Sequence, residues 1–221
     1  MSSTGYIPPL GFHFLTRFYD PFISRIFRED AIKSELVRHA NISSRHRVLD
    51  LGCGTGTLTL MIKDAHPQAK VVGIDPDASA LKIASNKAGR RRGSVTFEQG
   101  RADCLPFEEK QFDRVVSCLV FHHLDRGGKK KALSEIFRVL KPGGELHLAD
   151  WGKARNWLAR FAYLSVQLTD GFNTTTDNVL GRMPDFLTTA GFADVETSRE
   201  YTTSFGTFAF YKGRKAKRPR G

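Results

Sequence analysis

The feature that most constrains the fold is a regular alternation of short apolar runs with amphipathic helical patterns between residues 47 and 150. Short strands separated by helices predict crossover connections, and such connections produce a parallel sheet. The sequence therefore predicts an α/β fold with a mostly parallel sheet and helices on both faces. The predicted order is strand 47–51, helix 56–65, strand 70–75, helix 77–89, strand 94–98, strand 113–119, helix 128–140 and strand 145–150.

The segments that flank this alternation predict a cap and a closing hairpin. Residues 1–40 are expected to form an N-terminal helical cap, because apolar residues recur at helical spacing from 22 to 39. The main domain is expected over 41–212. At its end, residues 193–201 and 204–212 alternate apolar and polar positions, which is typical of two antiparallel strands joined by a short turn. With this hairpin the predicted sheet has seven strands.

The domain is predicted to contain one insertion and to be followed by a tail. Residues 153–190 are expected to form a helical insertion on the substrate side. It would consist of helices 153–169 and 177–190, joined by the mostly polar stretch 170–176. Residues 213–221 are basic and contain Gly and Pro, so a disordered tail is expected.

Charge and composition narrow the classes of protein. The net charge is +11, and six of the basic residues lie within the last ten positions. A basic surface suits nucleic acid or an anionic membrane, whereas a basic terminal tail is more often solvated. No apolar run approaches the roughly 18 residues that cross a bilayer, and no basic-then-apolar leader begins the chain, so a cytoplasmic protein is expected. The three cysteines form no paired motif and no cluster of acids and histidines stands out, so neither a disulfide nor a metal is predicted.

A glycine-rich turn follows the first strand and predicts a nucleotide site. Gly52, Gly54 and Gly56 would lie at the carboxyl edge of the sheet, where a residue without a Cβ lets the backbone approach a ligand closely. The spacing differs from the G-x-G-x-x-G of dinucleotide-binding turns, because Thr57 occupies the sixth position. Asp50 would place a carboxylate near a ligand's α-amino group, whereas the same charge would repel a pyrophosphate. Spacing and charge together favour S-adenosylmethionine over a dinucleotide.

A second acid, Asp75, closes the second predicted strand beside this turn. A carboxylate at that strand tip can accept hydrogen bonds from both ribose hydroxyls of a nucleoside. The alternative is that Asp75 caps the helix that begins near Pro76. Asp75 supports a nucleoside ligand but does not choose among nucleoside cofactors.

Three further motifs follow in order along the chain: Arg101–Phe107, Phe112–Ser117 and Arg138–Gly144. Together with the glycine turn they make the chain resemble the class I S-adenosylmethionine methyltransferases, within the broad group that includes the ubiquinone/menaquinone biosynthesis methyltransferases. The resemblance spans about residues 14–212. It implies a Rossmann-like class I methyltransferase fold, an S-adenosylmethionine cofactor and methyltransferase activity.

The resemblance also implies roles for three more residues. Asp103 would accept from the adenine amino group, and Leu119, at the end of the fourth strand, would approach the methionine part. Tyr19 would lie over the cofactor, where an aromatic face favours the sulfonium cation. Independently of the resemblance, the apolar turn Leu105–Phe107 would flank a flat ring beside Asp103. The alternatives are an ordinary loop acid for Asp103 and a core position for Tyr19.

Methyl transfer requires alignment of acceptor and methyl group more than acid–base groups, since the cofactor supplies the electrophile. If the acceptor must lose a proton, His122 is the preferred base, because it follows the fourth strand at the expected active edge. The alternative is that His122 packs against the cofactor loop. The insertion is rich in apolar side chains, so the acceptor is expected to be small and apolar, of quinone, lipid or metabolite type.

Two other functions stay open at this point. An RNA methyltransferase would use the basic surface, including Arg90–Arg92 and Lys129–Lys131, although the chain contains no amino-methylation motif and no Pro-Cys nucleophile motif. A non-catalytic S-adenosylmethionine-binding module would need no catalytic residue. The sequence predicts no particular oligomeric state.

Overall fold

The computed structural model describes residues 29–89, 95–154, 160, 163, 167, 171–203 and 206–217. Tyr19, Arg90–Arg92, most of the predicted helix 153–169 and the last four residues lie outside these ranges. Within them, no helix is both long and apolar enough to span a membrane.

The described elements follow the predicted alternation. In chain order they are α1 (Glu29–His39), β1 (Arg47–Leu51), α2 (Thr57–Ala65), β2 (Lys70–Asp75), α3 (Ala78–Ala88), β3 (Thr96–Gln99), β4 (Phe112–Cys118), a 3₁₀ turn (Phe121–His123), α4 (Arg126–Val139), β5 (Leu140–Trp151), α5 (Phe172–Val179), α6 (Met183–Thr189), β6 (Ala193–Thr203) and β7 (Gly206–Arg214).

The described strands form a seven-stranded sheet in the order β3-β2-β1-β4-β5-β7-β6. The first five of these are parallel, while β7 is antiparallel to β5 and β6 is antiparallel to β7. The predicted mostly parallel sheet with an antiparallel closing hairpin is confirmed. Because the parallel strands all end at one edge, the residues that follow them meet there.

Helices cover both faces of the sheet. Val48 packs in the core on the side of α1 and α2, whereas its neighbour Leu49 packs on the side of α4 and α6. Val115 and Val116 in β4 divide between the two faces in the same way. All four are fully buried, so these central strands have no solvent-facing side, and this is why they appear in the sequence as near-continuous apolar runs.

Strand β5 begins at Leu140, directly after α4, rather than at residue 145 as predicted. The Pro-Gly-Gly sequence does follow the end of the helix, but the chain continues as an irregular strand instead of turning. Gly143, with φ of +83°, donates its N–H to the carbonyl of Lys215, and Lys215 donates back to the carbonyl of Gly144. Pairing with the distant end of the chain therefore supplies the hydrogen bonds that make this segment a strand.

The C-terminal boundary of the domain is later than predicted. Strand β7 extends through Arg214, and the ammonium of Lys215 donates to the carbonyls of Phe137 and Leu140 at the end of α4. A cation is favourable there because the last carbonyls of a helix have no partner within it. The expectation of a disordered tail from residue 213 is therefore wrong for residues 213–215.

The second half of the insertion also differs from the prediction. The expected polar connector 170–176 and helix 177–190 are replaced by α5 and α6, which are separated at Gly181, where φ is +72°. In α5 the hydroxyls of Thr175 and Thr176 donate to carbonyls four residues back, so these polar side chains have partners within the helix and its N-cap.

Candidate functional site

The glycine-rich turn that follows β1 adopts backbone conformations that favour glycine. Gly52, Gly54 and Gly56 have φ of +71°, +51° and +77°, in the left-handed region. The N–H groups of Gly52 and Cys53 donate to the carbonyl of Ile74 in β2 at 2.8 and 3.0 Å. These bonds fold the turn across the carboxyl ends of β1 and β2, where the sequence predicts a nucleotide site.

The three glycines are required for different reasons. A Cβ on Gly52 would lie 2.3 Å from Val120 Cγ2, and a Cβ on Gly56 would lie 2.8 Å from Phe97 Cζ. A Cβ on Gly54 would meet nothing within 4 Å. Gly54 therefore borders open space in which a ligand can lie, and the close-approach argument holds for it. Gly52 and Gly56 are required by packing within the protein instead.

Asp75 lies at the end of β2 with its carboxylate held beside the turn. Its Oδ2 accepts from the Gly54 N–H at 2.8 Å, and its Oδ1 accepts from the Asp77 N–H at 2.9 Å. The helix cap is Asp77, whose carboxylate accepts from the N–H groups of Ser79 and Ala80, so the capping alternative for Asp75 is wrong. Burial raises the pKa of Asp75. Each of its oxygens keeps a second lone pair with which to accept from a ribose hydroxyl.

Asp50 lies beneath the turn rather than on its surface. The residue is 1% exposed, and its Oδ2 accepts from the Thr59 hydroxyl in α2 at 2.6 Å. Burial raises the pKa of this carboxyl to about 6, although the Thr59 bond and the charge of Lys33 act in the other direction. A nearby cationic group would favour the ionised carboxylate, so this side of the turn suits a cation better than an anion.

Asp103 lies in the loop after β3 and is already paired. Both carboxylate oxygens accept from the Arg101 guanidinium at 2.9 Å, and this pairing lowers the pKa of Asp103. An adenine amino group at this position would share the carboxylate with Arg101. Leu105 and Phe107 are buried in the core on the α4 side of the sheet. The expectation that they flank a ligand ring is wrong, because their apolar side chains are already covered by the core.

The backbone after β4 is strained and is held in place by Asp150. Leu119 has φ of +59°, a conformation that costs a non-glycine residue about 1–2 kcal/mol. Its N–H donates to the carbonyl of Ala149 at 2.9 Å. The buried Asp150 carboxylate accepts from the next three N–H groups, at 3.1, 2.7 and 3.3 Å. The sequence did not predict this role of Asp150. The only signal in the sequence was an acidic residue at the end of a predicted strand.

His122 is a further partner of Asp150. Its Nδ1 lies 2.8 Å from Asp150 Oδ1, and the residue is 4% exposed. The His122 ring lies against that of His123, with 4.0 Å between centroids. Donation from Nδ1 to the carboxylate fixes the tautomer in which Nε2 carries the lone pair. The structure therefore joins the predicted base to an acid that orients it.

Most of the predicted cofactor residues meet at one edge of the sheet. Asp50 and Asp75 lie at the ends of β1 and β2, and the glycine turn and Leu119 directly follow β1 and β4, which are neighbours in the sheet. Tyr19 lies outside the described residues. An open cavity of about 460 Å³ lies between α1 and the far end of α2, away from the turn. In the described part of the chain, no group of three or more His, Cys, Asp or Glu residues is arranged to hold a metal ion.

The sheet order, the glycine turn after β1 and the carboxylate at the end of β2 define the fold as that of the class I methyltransferases. Residues 48–144 match the family described as "Methyltransferase domain". Its structure is similar to that of phosphoethanolamine N-methyltransferase 2 from Haemonchus contortus in complex with S-adenosyl-L-methionine. The TM-score is 0.69 at 18% identity, over 92% of this chain and 60% of that one. The predicted fold is confirmed.

The sequence is also similar to proteins of the ubiquinone/menaquinone group. It is 44% identical over 100 residues to the demethylmenaquinone methyltransferase of Thermus thermophilus, and the aligned segment covers 45% of this chain and 44% of that protein. It is 34% identical over 144 residues to a ubiquinone/menaquinone biosynthesis C-methyltransferase of Stutzerimonas stutzeri, and the aligned segment covers 64% of this chain and 54% of that protein. The chain thus spans about half the length of the curated relatives it matches.

Proposed function

We propose that this chain is an S-adenosylmethionine-dependent methyltransferase that acts on a small apolar acceptor of the quinone type. The observation that carries the proposal is the open space at Gly54 beside the fixed carboxylate of Asp75. A nucleoside ligand at this place could donate hydrogen bonds from its ribose hydroxyls to the Asp75 carboxylate. Gly54 has no side chain to occupy the space of the ligand. The demethylmenaquinone methyltransferase relative supports the acceptor class, and the structural neighbour with bound S-adenosyl-L-methionine supports the cofactor.

The residues at this edge match the parts of the cofactor. Asp75 would accept from the ribose hydroxyls, Asp50 would favour the cationic amino group, and Leu119 would contact the methionine part. Asp103 would accept from the adenine amino group, and Tyr19 is proposed to lie over the sulfonium. When bound, the cofactor supplies the electrophilic methyl group, so the protein has to align the acceptor and exclude water.

Gly54→Ala tests the cofactor site, because its methyl group would enter the space proposed for the ligand. We expect the dissociation constant for S-adenosylmethionine, measured by calorimetry, to rise by about tenfold or more, since overpacking costs about 1–3 kcal/mol. Gly191→Ala is the matched control: its φ is also positive, at +95°, and its nearest new contact is an ordinary 3.4 Å to Phe137.

Both variants should lose about 1 kcal/mol of folding free energy, because both impose left-handed backbone on alanine. Only Gly54→Ala should lose cofactor affinity. Equal binding by both variants, or a wild-type protein that binds NAD in place of S-adenosylmethionine, would contradict the proposed site.

We assign the proton transfer that accompanies C-methylation to His122. His122 would accept, at Nε2, the ring proton that the acceptor releases on C-methylation, while the bound cofactor would supply the electrophilic methyl group and leave as the thioether. Asp150 holds Nδ1 and stabilises the imidazolium that results. The burial of His122 keeps bulk water away from this step.

His122→Gln should lower kcat for methylation of demethylmenaquinol by about 10²–10⁴-fold. His66→Gln, at the far end of α2, is the control and should leave kcat unchanged. If His122→Gln behaves like the control, His122 serves in packing alone.

The two other functions give different outcomes in these assays. An RNA methyltransferase would transfer methyl groups to RNA, with a rate or affinity that falls steeply as salt rises. Within the basic run Lys129–Lys131, Lys129 is fully buried, so its side chain is not on a surface that RNA could contact. Binding of S-adenosylmethionine without transfer to any acceptor would indicate a non-catalytic module. A cytoplasmic location stays a prediction.

A further inference from the structure

Helix α5 lies in the insertion 153–190, which we propose to face the acceptor, and it is held mainly by polar contacts. Its buried residues are Thr175, Asp177, Asn178 and Val179, of which only the last is apolar. A helix of a globular protein ordinarily buries an apolar stripe. The position of α5 is therefore set by hydrogen bonds and charges.

The first of these contacts is a buried lysine. Lys129, in the first turn of α4, has no exposed surface, and its ammonium donates to the backbone carbonyl of Thr174 in α5. Burial lowers the pKa of Lys129 to about 8, while the carboxylates of Asp150, Asp177 and Asp125 favour its charged form. Lysine is almost never fully buried unless it is paired. Here the ammonium joins α4 to α5 beside the end of β5.

The second contact is a carboxylate shared by two arginines. Asp177 in α5 is 2% exposed and accepts from Arg126 at 2.6 and 3.2 Å and from Arg182 at 3.0 Å. Arg126 belongs to the same turn of α4 as Lys129. Asn178 adds a bond from its side-chain amide to the carbonyl of Trp151, at 3.1 Å. These contacts fix α5 to α4 and to β5, the strand that carries Asp150.

We propose that Lys129 and Asp177 are positioning residues for the acceptor, because together they form a polar latch that holds α5 beside the carboxyl ends of β4 and β5. This inference rests on the function proposed above. Helix α5 contacts the 3₁₀ turn that carries His122 and does not contribute to the glycine turn. A shift of α5 therefore changes the wall against which the acceptor binds and leaves the cofactor site intact.

Lys129→Met tests the latch, because methionine retains much of the side chain and removes the charge. We expect KM for demethylmenaquinol to rise about tenfold, while kcat and the dissociation constant for S-adenosylmethionine change by less than about twofold. Binding that is lost equally in the ground and transition states raises KM alone. Lys130→Met, an exposed neighbour on the same helix, is the matched control and should behave as wild type. A fall in kcat at constant KM, or no change in either constant, would overturn the proposal.

Arg126→Gln removes one donor to Asp177 and should raise the same KM by a smaller factor without unfolding the protein. Amide hydrogen exchange of residues 172–179 reports on the latch without any acceptor, and it should be faster in Lys129→Met than in Lys130→Met. If the wild-type protein binds S-adenosylmethionine but does not methylate demethylmenaquinol, the proposed acceptor is wrong. Exchange in α5 then decides separately on the latch, and equal exchange in the two variants rejects it.

Discussion

At the scale of single residues, three buried aspartates at the strand ends have the same side chain but different roles. Asp50 accepts from a hydroxyl in α2, Asp75 accepts from the glycine turn, and Asp150 holds the backbone after β4. Burial raises the pKa of Asp50 and of Asp75. Burial acts in the same direction on Asp150, but the charge and hydrogen bond of His122 lower the pKa below its ordinary value. The surrounding donors, and not the residue type, decide what each acid does.

Asp50→Asn tests the cost of ionising a buried carboxyl. The folded pKa of about 6 lies above the value of about 4 in an unfolded chain, so the folded protein binds this proton more tightly. The contribution of Asp50 to the free energy of unfolding therefore falls as the pH rises from about 4 to about 6. We expect the free energy of unfolding of Asp50→Asn, relative to that of wild type, to rise by roughly 2–3 kcal/mol between pH 4 and pH 7, measured by urea unfolding without cofactor.

Asp185→Asn, at an exposed position in the first turn of α6, is the control for this measurement. A difference between Asp50→Asn and wild type that stays constant from pH 4 to pH 7 would show that the buried carboxyl carries no ionisation penalty.

At the scale of elements, apolar periodicity predicted well and polar segments did not. The predicted limits of β1 and β2 match the structure, and those of α2 and α3 differ by one residue at most at each end. Helix α5 and the start of β5 were missed. The threonine hydroxyls of α5 bond back to the helix, and the start of β5 pairs with Lys215. Neither contact leaves an apolar period in the sequence.

The 3₁₀ turn is the element that depends most on a single side chain. Asp150→Asn replaces one acceptor oxygen by an NH₂ group, which must face either the N–H groups of the turn or Nδ1 of His122. We expect a loss of about 3 kcal/mol of folding free energy, measured by denaturant unfolding, because buried donors are left without an acceptor. Asp185→Asn again serves as the exposed control. A loss below about 1 kcal/mol would mean that the turn holds its conformation without the carboxylate.

At the scale of the whole molecule, part of the basic charge is used within the fold. Lys215 bonds to carbonyls at the end of α4, Arg214 pairs with Asp194 at 2.6 Å, and Lys212 pairs with Glu145 at 3.2 Å. These are three of the six basic residues in the last ten positions. The C-terminal charge therefore gives less support to a nucleic-acid partner than composition alone suggests.

The sequence by itself determined the α/β class, the parallel sheet with its closing hairpin, and the glycine turn at Gly52 to Gly56. These follow from local periodicity and from backbone conformations that only glycine adopts at little cost. Tertiary structure alone decided that Gly54 borders the open space, that Gly52 packs closely against the side chain of Val120, and that Asp150 holds the 3₁₀ turn that carries His122. Those facts depend on which strands and helices become neighbours across long separations in sequence, and no local pattern encodes that choice.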